Sequence, residues 1–134
     1  IQVDEVHRQA RRSRYTTQKA LVEADLLKVQ AEEFQALIDQ TEAQRKMTEA
    51  QVELLSKEAA VREARNSQVP EQIEKAVQEL EAAGGRTQKD REEFDQACRK
   101  TKELNRRVKI IQQQVEMLNQ DFSILDKDET ASEE

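Results

Sequence analysis

The sequence predicts an all-α protein: a long antiparallel helical hairpin, or coiled coil closed on itself, with pairing into a four-helix bundle as the next level of assembly. Three observations lead there. In the second half, Ile73, Ala76, Leu80, Ala83, Thr87, Asp90, Phe94, Ala97, Thr101, Leu104, Val108, Ile111, Val115, Leu118, Phe122 and Leu125 recur at alternating steps of three and four residues. That average spacing of about 3.5 keeps one seam of a helix facing a partner over many turns. The composition is the second: 37% of residues are charged and only 3% aromatic, too few large apolar side chains for a compact globule and typical of long helices. The third is the scarcity of breakers, two Gly and one Pro, which leaves few places to turn.

From about residue 3 to 65 the chain has neither Gly nor Pro and reads as one helix. Its first seam is Val3, Val6, Ala10, Ser13, Thr17, Ala20, Ala24, Leu27, Ala31, Phe34 and Ile38; beyond Ile38 the stripe drifts to a second phase, Met47, Ala50, Leu54, Val61 and Ala64. A phase change of this kind accompanies a change of packing partner. Asn66-Ser67-Gln68-Val69-Pro70 is a turn, because Asn tolerates a helix C-cap and Pro constrains Val69 and removes a donor. A second helix then spans about 71–125, with a possible break at 84–87, where Gly84-Gly85 precede Thr87 and Asp90 at capping-box spacing. Residues 1–125 thus form the hairpin, and 126–134, acidic and without apolar periodicity, read as a disordered tail.

The two turns imply different molecules. Reversal near Pro70 sets Leu104, Val108, Ile111, Val115 and Leu118 against Ala20, Ala24, Leu27 and Ala31, large against small, and brings Arg8, Arg11, Arg12 and Arg14 towards Glu116, Asp121, Asp126 and Asp128. Reversal at Gly84-Gly85 sets Val61, Leu54 and Met47 against Val108, Val115 and Phe122 and leaves the N-terminal part overhanging. The second-half stripe keeps its register through the glycines, which favours Pro70 and makes Gly84-Gly85 a weak point costing about 2 kcal/mol.

Enzymatic constellations are missing. His7 has no nucleophilic partner at a recognisable spacing, and neighbouring carboxylates such as Glu32-Glu33 diverge by about 100° on a helix. No phosphate-loop or dinucleotide fingerprint occurs. Cys98, the single cysteine, sits beside the seam and reads as a packing residue, so neither a disulfide framework nor a cysteine metal site is expected, and no cofactor. A reducing, intracellular and cytoplasmic setting is the simplest expectation. Apolar runs are too short for membrane insertion. The chain begins without Met, as a processed or excised piece would.

A net charge of −6 argues against bulk attraction to nucleic acid. Two basic clusters stand out locally: Arg8, Arg11, Arg12, Arg14 and Lys19, and then Arg99, Lys100, Lys102, Arg106, Arg107 and Lys109, the better docking surface for an anionic partner. Aromatic platforms for bases are missing from the second. Arg12, Arg14 and Thr17 have the spacing read by a basophilic kinase, and a phosphate on Thr17 would fall on the first seam.

The strongest binding signal is a surplus of apolar residues. Leu21, Val22, Leu26, Val29, Ala36 and Leu37 add a second stripe beside the first seam, more than one hairpin covers, and are the candidate protein-binding residues. The leading expectation is a non-enzymatic coiled-coil scaffold, tether or adaptor, acting by self-association or by docking a helical partner. The alternatives are a chaperone or holdase clasping clients at an apical tip of Val69, Ile73 and Val77, and a nucleic-acid-binding arm built on residues 99–109.

Overall fold

The computed structural model describes the backbone of residues 2–133 and the side chains of 3–125 and 127. It consists of two helices, α1 (Gln2–Ser67, 66 residues) and α2 (Pro70–Glu133, 64 residues), packed antiparallel as a hairpin. Among the described residues there is no strand.

The reversal is made by two residues. Gln68 takes the left-handed conformation, φ 59°, and its N–H donates to the Arg65 carbonyl at 3.3 Å, closing the end of α1. Ser67 Oγ donates to the Ala64 carbonyl at 2.6 Å, satisfying another carbonyl of the last turn. Val69 is the N-cap of α2: its carbonyl accepts from Ile73 N–H at 3.1 Å, while Pro70 occupies the first helical position, where a missing N–H costs nothing. The left-handed cap is therefore Gln68, not Asn66.

The chain divides into two compact units. One is Gln35–Lys102, which contains the turn; the other joins Ile1–Phe34 to Glu103–Glu134. In the Gln35–Lys102 unit the seam is built mainly of small residues. Ala36, Ala50 and Val61 of α1 and Ala76, Ala83 and Thr87 of α2 are buried, with Met47, Leu54, Ile73, Leu80 and Phe94 half-buried around them. The small side chains let the helices approach closely. The Thr87 hydroxyl lies 2.9 Å from the Ala83 carbonyl of its own helix and 3.3 Å from the Ala50 carbonyl of α1. Two ion pairs flank the seam, Lys57–Glu79 at 3.2 Å and Arg86–Glu53 at 2.8 Å; as exposed or half-exposed pairs they fix register more than they add stability.

In the Ile1–Phe34/Glu103–Glu134 unit the seam uses larger residues. Leu104, Val108 and Val29 are buried, and Val22, Leu26, Ile111, Val115 and Leu118 are half-buried. Tyr15 meets Phe122 edge to face, with centroids 6.4 Å apart at 70°.

In α2 every position of the sequence-predicted stripe from Ile73 to Leu125 is buried or half-buried. The seam read for α1 is overturned: Val3, Val6, Ala10, Ser13, Thr17, Ala20, Ala24, Leu27, Ala31, Phe34 and Ile38 are all exposed. Buried and half-buried positions of α1 follow instead one repeat, Tyr15, Lys19, Val22, Leu26, Val29, Glu33, Ala36, Gln40, Ala43, Met47, Ala50, Leu54, Lys57, Val61 and Ala64, with no phase change near Ile38; Arg8 and, nearer the turn, Gln51, Glu53, Glu58 and Ala60 are half-buried as well. The reason is mechanical. The turn fixes Val61 and Ala64 against α2, α1 has no break, and stepping back by alternating fours and threes lands on Val29, Leu26 and Val22 rather than on Leu27 and Ala24. Lys19, Gln40 and Lys57 are tolerated in that seam because long polar side chains can lay their stems along it and keep their heads towards water, whereas Glu33 holds one carboxylate oxygen buried there.

Helix α2 runs through Gly84 and Gly85 unbroken. A Cβ on either glycine would meet nothing within 4 Å, so neither is required for a close approach. At its other end the backbone stays helical to Glu133, through most of the stretch read from sequence as a disordered tail. Extending an existing helix through Ala, Glu and Asp is far less costly than starting one. Residue 134 and the side chains of 126 and 128–134 lie outside the described residues, and with them the pairing expected for Asp126 and Asp128.

Two consequences can be measured. Replacing both glycines, Gly84→Ala with Gly85→Ala, should raise unfolding stability by about 2 kcal/mol in a denaturant melt, since helix propensity is gained without a clash. No gain would mean that the glycines answer to something other than helix formation. Gln68→Gly should add about 1 kcal/mol by removing the left-handed penalty of a residue with a Cβ, and a destabilised variant would contradict this account of the turn.

Candidate interaction surface

The correction to α1 reverses the roles of its two stripes. Of the six residues read as a protein-binding surface, Val29 and Ala36 are buried, at 5% and 3% exposure, and Val22 and Leu26 are half-buried, all within the intramolecular seam. Leu21 and Leu37 remain exposed. What stays open is the stripe that sequence patterning assigned to the core. On a helix, positions two residues from a seam position project roughly opposite to it, so Ala20, Ala24, Leu27, Ala31 and Phe34 lie on the outer face of α1.

In the Ile1–Phe34/Glu103–Glu134 unit this outer face exposes Leu27 at 68%, Phe34 at 67% and Val6 at 63%, with Leu21 at 65% on its edge. They are joined by exposed Ala10, Ala20, Ala24 and Ala31. Single exposed apolar residues are ordinary; here they form a continuous line at heptad spacing. α2 carries a narrower line in the same unit: Ile110, Met117 and Ile124, exposed and one heptad apart. In the Gln35–Lys102 unit, Leu37, Ile38, Val52 and Leu55 of α1 are exposed.

The remaining candidates fare differently. Arg99, Lys100 and Lys102 are exposed in one unit, and Arg106, Arg107 and Lys109 in the other; Arg99 Nε also reaches the Asp95 carbonyl at 3.4 Å. Thr17 is exposed, so a phosphate there would fall on the outer stripe and leave the seam untouched. Of the proposed apical tip, Val69 is 40% exposed while Ile73 and Val77 are half-buried. Cys98 is half-buried. A groove of about 420 Å³ runs past Gly84, lined by Leu54, Thr87, Gln88, Arg91, Glu92 and Asp95; it is open to solvent and of mixed charge. Glu33 Oε2 is buried without a hydrogen-bond partner, a local cost of holding a carboxylate in the seam. Among the described residues no cluster of three or more His, Cys, Asp or Glu could hold a metal ion, and no helix is long and apolar enough to cross a membrane.

No protein-family model matches the chain, and no curated protein or solved structure shows significant similarity to it. The fold and surface define a class by themselves: an all-α helical hairpin whose first helix carries one apolar stripe inside and a second outside.

Sequence patterning missed Leu27 and Phe34 as surface residues because it ranked stripes by apolarity. The signal that finds them is the register propagated from the turn. Two single substitutions distinguish the faces. Val29→Asp should destabilise the hairpin by more than about 3 kcal/mol, because a carboxylate enters the seam, whereas Leu27→Asp should change monomer stability by less than about 0.5 kcal/mol. Thermal melts of the two at low concentration would show it; equal losses would return Leu27 to the core.

Proposed function

We propose that this chain is a non-enzymatic helical scaffold or adaptor, which assembles by self-association through the outer stripe of α1 between Val6 and Phe34. The observation that supports this reading is the exposure of Leu27 and Phe34, each about two-thirds open to water on a face with heptad spacing. Covering such side chains is worth about 1.5–3 kcal/mol apiece when burial is complete, enough to drive helix association once several act together. The hairpin seam serves as the stiff support, the outer stripe as the adhesive, and the charged residues between them as the selectors of register and partner. The lone half-buried cysteine suits a reducing, intracellular compartment.

A holdase reading has less behind it, since Val69 is the one exposed residue of the three expected at the tip. The test of the scaffold reading is mass. By light scattering the wild-type chain should exceed its monomer mass of 15.5 kDa at micromolar concentration, and the double variant Leu27→Asp with Phe34→Asp should return to it with helical circular dichroism intact. A wild-type chain that remains monomeric at the highest attainable concentration would defeat the reading.

A further inference from the structure

We propose that the occupant of the outer stripe in the Ile1–Phe34/Glu103–Glu134 unit is a second copy of this chain, laid antiparallel across a twofold axis between Ala20 and Ala24. The inference rests on the self-association proposed above and specifies its geometry.

Three properties of the stripe point to it. The first is the order of sizes. Between Ala10 and Phe34 the large residues, Leu27 and Phe34, lie at one end and the smaller ones, Ala10, Ser13 and Thr17, at the other, with Val6 a further large residue beyond Ala10. Antiparallel pairing with Ala20 of one copy over Ala24 of the other sets Thr17 against Leu27 and Ala10 against Phe34, a large residue meeting a smaller one in each, with Ser13 against Ala31 as a small layer between them. Parallel pairing would stack Phe34 on Phe34 and Ala10 on Ala10, crowding one end and leaving the other hollow, and both faults are penalised in a close-packed interface.

The second property is charge. Outside the seam positions Lys19 and Glu33, residues 8–18 hold Arg8, Arg11, Arg12 and Arg14 and no acid, whereas residues 23–32 hold Glu23, Asp25 and Glu32 with the single base Lys28; Lys19 pairs with Glu23 within its own helix at 3.9 Å. The antiparallel arrangement lays the basic segment of each copy along the acidic segment of the other. The parallel one sets like against like, which electrostatic matching disfavours.

The third is continuity. Leu27 and Phe34, each about two-thirds exposed, lie with exposed Ala20, Ala24 and Ala31 in one unbroken line that a second helix can cover.

The experiment places one nitroxide per chain at Gln9→Cys in a Cys98→Ala background and combines light scattering with spin–spin distances. An antiparallel dimer puts the two labels on the order of 40 Å apart along the helices, from the 1.5 Å rise per residue; a parallel one puts them roughly one interhelical spacing apart, about 10 Å plus the label arms. The expected result is a dimer with the long distance, and a dissociation constant raised roughly thirtyfold or more by Leu27→Asp. A dimer with the short distance overturns the antiparallel geometry while leaving self-association standing. A long-distance dimer indifferent to Leu27→Asp overturns the assigned surface. A monomer overturns this inference together with the reading on which it rests.

Discussion

The hairpin depends on register transmitted from its turn. Gln68 in the left-handed conformation and Pro70 at the first position of α2 set which residues near the apex face each other, and an uninterrupted helix carries that choice to every later layer. A helix cannot rotate a stripe by one position partway along without a stutter, and a stutter has a structural signature. None is present between Tyr15 and Ala64, where the buried positions keep one repeat throughout. The seam accepts Lys19, Glu33, Gln40 and Lys57, and an orphaned carboxylate oxygen on Glu33, as the local cost of that global constraint.

The two units solve the packing of that seam differently. Around the turn, Ala36, Ala50, Ala76 and Ala83 allow backbones close enough for the Thr87 hydroxyl to reach a carbonyl on the opposite helix, so polar geometry fixes the layer as much as apolar burial does. In the unit holding the chain ends, Val29, Leu104 and Val108 are the buried residues and Tyr15 meets Phe122, so the seam there is built of larger side chains. Small-residue packing trades apolar area for close approach; large-residue packing does the reverse. Both are compatible with one repeat because the repeat fixes direction and leaves size free.

How much of this was legible in the sequence differs between the helices for a physical reason. α2 has one apolar stripe, and every position from Ile73 to Leu125 that patterning placed in the seam is there. α1 has two, and the outer one, with Leu27, Phe34 and Ile38, is by composition the better core. Apolarity alone therefore selected the wrong face, and with it misassigned Val22, Leu26, Val29 and Ala36 as a binding surface when the hairpin already uses them. Leu21 and Leu37, chosen by the same reasoning, remain open to water. The candidate surface was thus recoverable only by coupling the two helices through the turn, information that no window on α1 contains.

That inversion has an energetic logic. A seam within one chain closes at the effective concentration set by a two-residue connection, so it tolerates polar interruptions and still forms. A surface that must recruit a separate molecule has to offset lost translational and rotational freedom, estimated at 4 kcal/mol or more, before any affinity is left. The more continuous apolar stripe is therefore worth more on the outside of α1 than on the inside. A helix that carries its weaker stripe inward and its stronger one outward has the distribution that the proposed self-association would require.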